Sequence, residues 1–187
     1  KKIAWISTYN TKCGIATYSD FILENLENLD IKIFSNYTET IISQNKEKNV
    51  TRCWNDRFDK SNQILINEIL KANCTDIIIN FNFAFFSMKN LADIIETLYK
   101  NNIKTTIIFH SVADVTIKGL ESSLSWIKDS LKKVDNILLH TVEDINFLKK
   151  LDLSDLKFLP HGVKNRANIN YKIKENITTI SSYGFML

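Results

Sequence analysis

The sequence predicts an α/β fold, a parallel sheet with helices packed on both faces. Short runs of bulky apolar residues alternate along the chain with stretches whose apolar residues recur every three or four positions, the strand–helix alternation of βαβ units. One run, Ile77-Ile78-Ile79, is apolar at every position, as a strand covered on both faces requires. Polar residues capable of chemistry then fall just after strands, where open parallel sheets bind their ligands. Right-handed crossovers between such strands make the sheet parallel and put helices against it.

The elements follow in order. Ile3 to Ile6 reads as the first strand, and a polar loop leads to Gly14. A helix follows, with Ile15, Tyr18, Ile22, Leu26 and Leu29 on one face and Asp20, Glu24 and Glu27 on the other. Ile31 to Phe34 and Val50 to Trp54 are strands, and Asn62 to Ala72 is a helix. After the Ile77 strand come a helix from Met88 to Tyr99 and a strand from Thr105 to Phe109. The stripe Leu120, Leu124, Ile127, Leu131 and Val134 predicts one long helix. Ile137 to Leu139, Val142 to Leu151 and Leu156 to Leu159 are then strand, helix and strand. Residues 164–176 are polar and read as a linker. Residues 177–187 open a further strand, expected to be the first of a truncated second domain, so the first domain is expected to span 1–163.

Composition excludes several functions. Of 187 residues, 44% are hydrophobic and 24% charged, enough apolar material for a core and too much for a disordered chain. Even the most apolar region, Ile77 to Phe86, is interrupted by Asn80 and Asn82 and falls short of the roughly 18 apolar residues a membrane helix needs. A net charge of +3 is too small and too dispersed for a nucleic-acid binder. Cys13, Cys53 and Cys74 show neither CxxC spacing nor a disulfide framework, so no metal site is expected and a reducing, cytoplasmic setting is. Four Asn-x-Ser/Thr triplets are background in a chain this rich in asparagine.

The strand exits collect the candidate site residues. Tyr9, Cys13 and Gly14 follow the first strand, and Asn80 and Asn82 the Ile77 strand. His110 and Ser111 follow the Thr105 strand, His140 and Thr141 the Ile137 strand, and His161 and Gly162 the last. All three histidines thus sit at strand exits. Gly14, opening a helix, suits an anion held by backbone N–H groups at the positive helix end, although GxGxxG and P-loop patterns are both missing. Two further readings stand beside this one. Cys13 with His110 would make a nucleophile pair for a hydrolase, against the plainer account of a packed loop thiol. Lys128, Lys132 and Lys133 form a solvated face or touch anionic lipid headgroups, a route to peripheral membrane association. Glu143 and Asp144, in the first turn of a helix, favour its dipole.

Several segments together carry a family resemblance. The opening Ser7-Thr8-Tyr9 with Cys13-Gly14-Ile15-Ala16-Thr17-Tyr18 resembles the first strand and loop of group 1 (GT4-type) glycosyltransferases. Phe109-His110-Ser111-Val112, Leu139-His140-Thr141-Val142-Glu143-Asp144 and Leu159-Pro160-His161-Gly162-Val163 resemble later family segments in the same order. Thr178 to Phe185 is similar to the first strand of the partner domain.

The resemblance implies the N-terminal, acceptor-side, Rossmann-like half of a two-domain GT-B fold. It also implies sugar transfer from a nucleotide-sugar donor to an acceptor hydroxyl, with retention and without a metal or other cofactor. The acceptor would be a glycan or a lipid-linked acceptor. Gly14 and Ile15 would approach the donor phosphates, His110 would contact the transferred sugar as the catalytic residue, and Tyr9, Asn82, Thr141, His161 and Gly162 would line the cleft. Where relatives carry a His-Glu pair after the fourth strand, this chain has Phe81 and Asn82, neither of which acts as a base. The family's basic residues that neutralise the leaving diphosphate belong to the other domain, so this chain alone is expected to be inactive. A non-catalytic module that binds a nucleotide or sugar is the alternative reading.

Overall fold

The computed structural model describes residues 1–162 apart from 27 and 59–61. The predicted linker and the second-domain strand lie outside the described residues, as does Glu27. Among the described residues seven parallel strands form one sheet: β1 (Lys2–Ile6), β2 (Asp30–Asn36), β3 (Val50–Trp54), β4 (Asp76–Phe81), β5 (Lys104–Phe109), β8 (Asn136–Leu139) and β9 (Leu156–Phe158), with spatial order β3-β2-β1-β4-β5-β8-β9. Between β5 and β8 a small antiparallel hairpin intervenes, β6 (Val115–Ile117) and β7 (Leu120–Ser122). The helices are α1 (Gly14–Leu23), α2 (Gln63–Ala72), α3 (Met88–Lys100), α4 (Lys128–Leu131) and α5 (Val142–Lys149). The α/β class, with a Rossmann-like parallel sheet and helices on both faces, is as the sequence predicts.

Strand order reverses direction between β1 and β4. From β1 the chain winds outward through β2 to β3, then returns past β1 and winds the other way. Such a switch point opens a crevice at the strand carboxyl ends, because the flanking connections leave on opposite faces. Phe34, Leu65, Ile69, Ile79, Phe81, Leu91, Ile95, Phe109, Leu131, Leu139 and Leu148 belong to the large core on the face that α2–α5 cover. On the other face, Trp5, Ile33 and Ile108 pack with Tyr18 and Ile22, so among the described residues α1 is the helix that covers this side.

Two predicted helices differ from what forms. The first ends at Leu23, and turns follow it in which Asn25 and Leu26 N–H groups donate to Ile22 and Leu23 carbonyls; Leu29, expected on its buried face, is 45% exposed. The long helix over Leu120 to Val134 does not form. Lys118 and Gly119 both have positive φ, +50° and +75°, and make a two-residue turn that pairs Ile117 with Leu120. Ser123 then caps a 3-10 turn at Leu124–Ile127, and only Lys128–Leu131 is α-helical. Leu124, Ile127 and Leu131 are buried as the stripe requires, while Leu120 points outward from the hairpin. A lysine-glycine pair just before the helical stripe is the sign of a turn that periodicity does not show.

At Gly119 a Cβ would meet no atom within 4 Å, so only the backbone conformation demands glycine. Gly119→Val is therefore expected to lower unfolding free energy by about 1–2 kcal/mol, read by urea denaturation, whereas an unchanged midpoint would contradict this hairpin geometry.

Candidate functional site

The site begins with strand register. Phe81, Phe109, Leu139 and Phe158 pair in one row across β4, β5, β8 and β9. The pairing continues one residue further, with the His110 N–H donating to the Phe81 carbonyl and the Leu159 N–H to the Leu139 carbonyl. Side chains alternate along a strand, so His110 shares a face with Ile108, and His140 with Leu138, which is the α1 face. There the Tyr18 ring meets all three histidines edge-on, at centroid distances of 4.8 Å to His110, 5.3 Å to His140 and 5.4 Å to His161. The His140 and His161 rings stack at 3.8 Å, and His110 lies 5.0 Å from His140.

Buried groups hold two of the imidazoles. His110 Nε2–H donates to Oδ1 of Asn80, a residue fully buried within β4 rather than beyond it, at 3.1 Å. His140 Nδ1–H donates to the Leu159 carbonyl at 2.7 Å. His161 is exposed at the mouth. Burial, reinforced by His140 and His161, pushes the His110 pKa down to about 3; burial also lowers that of His140, against the hydrogen bond to Leu159. His110 and His140 are thus neutral imidazoles at ordinary pH.

Gly14 is the first residue of α1, and Tyr18 lies one turn on, so this helix start adjoins the histidines. No side chain caps α1 and no acidic residue occupies its first turn, whereas Ser87 caps α3 and Thr141 caps α5. The loop before α1 is pinned from the side. Asn10, at φ +52°, accepts from the Ser43 N–H, and Arg52 donates to the Tyr9 carbonyl while paired with Glu47 at 2.8 Å.

The remaining predicted residues have local duties. Tyr9 is buried and its hydroxyl donates to Asp20; burial, then the Asp20 carboxylate, raises its pKa to about 12. Asn82 Oδ1 accepts from the Ala84 N–H in a turn. Thr141 Oγ1 accepts from the Asp144 N–H, with Glu143 and Asp144 in the first turn of α5. Gly162 stands in open space at the rim, and Ile15 is partly buried. Cys13 Sγ accepts from Thr8 Oγ1 at 3.4 Å, and His110 bonds Asn80, so the structure does not assemble the Cys13–His110 pair. Lys132 and Lys133 pair with Asp152 and Glu96.

Sequence reasoning missed a cavity of about 390 Å³ on the other side of the switch point. Trp54, Phe58 and Phe85 give it aromatic walls, Asp56 and Arg57 line it, and Lys118 of the hairpin turn reaches over Phe58. The buried Arg57 donates to the Phe83 carbonyl and to Ser122 Oγ, tying the hairpin to the sheet edge. Aromatic residues after β3 and β4 were the available signal.

The depressed histidines predict a pH dependence. In the unfolded chain an imidazole takes a proton near its ordinary value of 6.5, whereas folded His110 does not until about 3. The unfolded state therefore binds more protons in that window, and stability falls as pH drops through it. Wild type should lose stability between about pH 7 and about pH 5, and His110→Asn should lose less; equal slopes in urea denaturation would contradict the buried neutral ring.

No helix among the described residues is long and apolar enough to cross a membrane. No protein-family model and no curated protein matches the chain. Among solved structures it is similar to an alpha-glucosyltransferase in complex with UDP and a mismatched DNA, with 13% identity, a TM-score of 0.39 and 75% of this chain covered. The chain spans 37% of that protein's length.

Proposed function

We propose that this chain is the acceptor-side domain of a glycosyltransferase that moves a sugar from a nucleotide-sugar donor to an acceptor hydroxyl. The observation that carries the reading is the convergence, at the switch-point edge, of an uncapped helix start and a neutral histidine. Tyr18 bridges them, 4.8 Å from the His110 ring.

Transfer breaks the bond between the anomeric carbon and the diphosphate oxygen, and that oxygen keeps the electron pair. The uncapped N terminus of α1 at Gly14 and Ile15 offers backbone N–H groups and the positive helix end to this charge. Cationic side chains of a partner domain complete the neutralisation, so the step needs no metal. His110, uncharged and with its Nε2–H given to Asn80, accepts a hydrogen bond from a sugar hydroxyl at Nδ1 without repelling a cationic transition state. The acceptor hydroxyl forms the new bond from the face that the diphosphate leaves, preserving anomeric configuration, and its proton passes to the departing oxygen. The aromatic cavity across the switch point, with Asp56 in its lining, receives a glycan or lipid-linked acceptor.

His110→Ala, made in the protein carrying both domains, tests this. With the matching nucleotide sugar, kcat should fall by about 100-fold or more while nucleotide affinity stays within a few-fold. Unchanged turnover would overturn His110's role. Nucleotide binding without any transfer would favour a non-catalytic binding module.

A further inference from the structure

The rim satisfies a requirement that sugar contact does not impose. One ring nitrogen from each of His110, His140 and His161 lies within 4.8 Å of one from each of the others, and these are the chain's only histidines. Because His140 Nδ1 carries the proton it donates to Leu159, its Nε2 bears a lone pair. That Nε2 is buried and has no hydrogen-bond partner among the described residues, although the residue is only 8% exposed. His110 Nε2–H likewise donates to Asn80, leaving Nδ1 as the lone-pair nitrogen. Metal-bound histidines are oriented in this way, the second nitrogen tied to a carbonyl or carboxylate.

His110 and His140 bring lone-pair nitrogens whose rings are already held by hydrogen bonds, and the exposed His161 adds a third ring nitrogen from the solvent side. Protonating one ring places a cation in a partly buried site beside two others. A Lewis acid accepts all three lone pairs at once, and neutral imidazole suits zinc, copper and nickel.

We propose that His110, His140 and His161 form a binding site for a divalent transition-metal cation of the zinc class, with a fourth position open to solvent at the rim. Nitrogens at 2.0–2.1 Å from a tetrahedral ion sit about 3.4 Å apart, so the widest pair closes by about 1.4 Å. His161, the exposed member, has room to make that movement by turning out of its stack on His140. The ion would occupy imidazoles that the transfer reading assigns to the sugar. Its binding therefore competes with transfer rather than assisting it, and it is tested without any sugar.

Titrating the metal-free protein with cobalt(II) alone, and displacing the cobalt with zinc(II), reads the site directly. One equivalent should bind, with the visible d–d bands of a four-coordinate ion carrying nitrogen ligands. His161→Ala alters an exposed side chain and should weaken binding by at least about 100-fold, beyond the loss that even outer-shell changes cause. His110→Ala should do the same, while Cys13→Ser, which removes the least buried thiol, should leave affinity unchanged. Absence of the bands, equal affinity in His161→Ala, or loss of binding in Cys13→Ser would each overturn the proposal.

Discussion

Parallel pairing that brings Phe81, Phe109, Leu139 and Phe158 level is the constraint on which the rest of this structure depends. Phe109 and Leu139 anchor one face in the core and are directly followed by His110 and His140, while His161 comes after Leu159 and Pro160 beyond β9. A shift of one residue in β5 or β8 would move His110 or His140 to the core face and carry Phe109 or Leu139 out of it. The hydrophobic effect that fixes the register thus also fixes the site. Phe81 packs against Phe83 and Phe109 at ring distances of 5.2 Å, and the His110 N–H prolongs the same ladder to the Phe81 carbonyl.

The second determinant is the asymmetry of the two faces. Among the described residues, four helices cover the large core, while α1 alone covers the face onto which the histidines project. Tyr18 is therefore at once a core residue of that face and the wall of the site. Its ring covers one side of three imidazoles and contributes to the burial that keeps His110 neutral, beside an uncapped helix end. In this arrangement the start of α1 and the histidine row cannot separate without exposing Tyr18.

Much of this was legible in the sequence, for identifiable reasons. The strand order of exits, with a histidine after each of the last three sheet strands, followed from apolar runs short enough to end unambiguously. What periodicity could not show was contact. Nothing in the spacing of His110, His140 and His161 joins them, because they are brought together by lateral strand pairing and not by a local motif, so no metal ligand set was expected. Asn80 read as a strand exit because a polar residue ended the isoleucine run; it lies inside β4, where the His110 ring meets its buried amide. The Leu120–Val134 stripe misled for the opposite reason. Leu124, Ile127 and Leu131 face the core at helical spacing through a 3-10 turn and one short helix, while Lys118 and Gly119 divert the chain beforehand. The aromatic cavity stayed hidden because its walls come from β3, the loops after β3 and β4, and a hairpin far apart in sequence.

Aromatic proton contacts measured by nuclear Overhauser spectroscopy test the central claim most directly. The account predicts cross-peaks from the Tyr18 ring to the rings of His110, His140 and His161 together, and from His140 to His161. Contacts from Tyr18 to none of them, or to His110 alone with the other two dispersed, would contradict a single histidine rim at the carboxyl edge of the sheet.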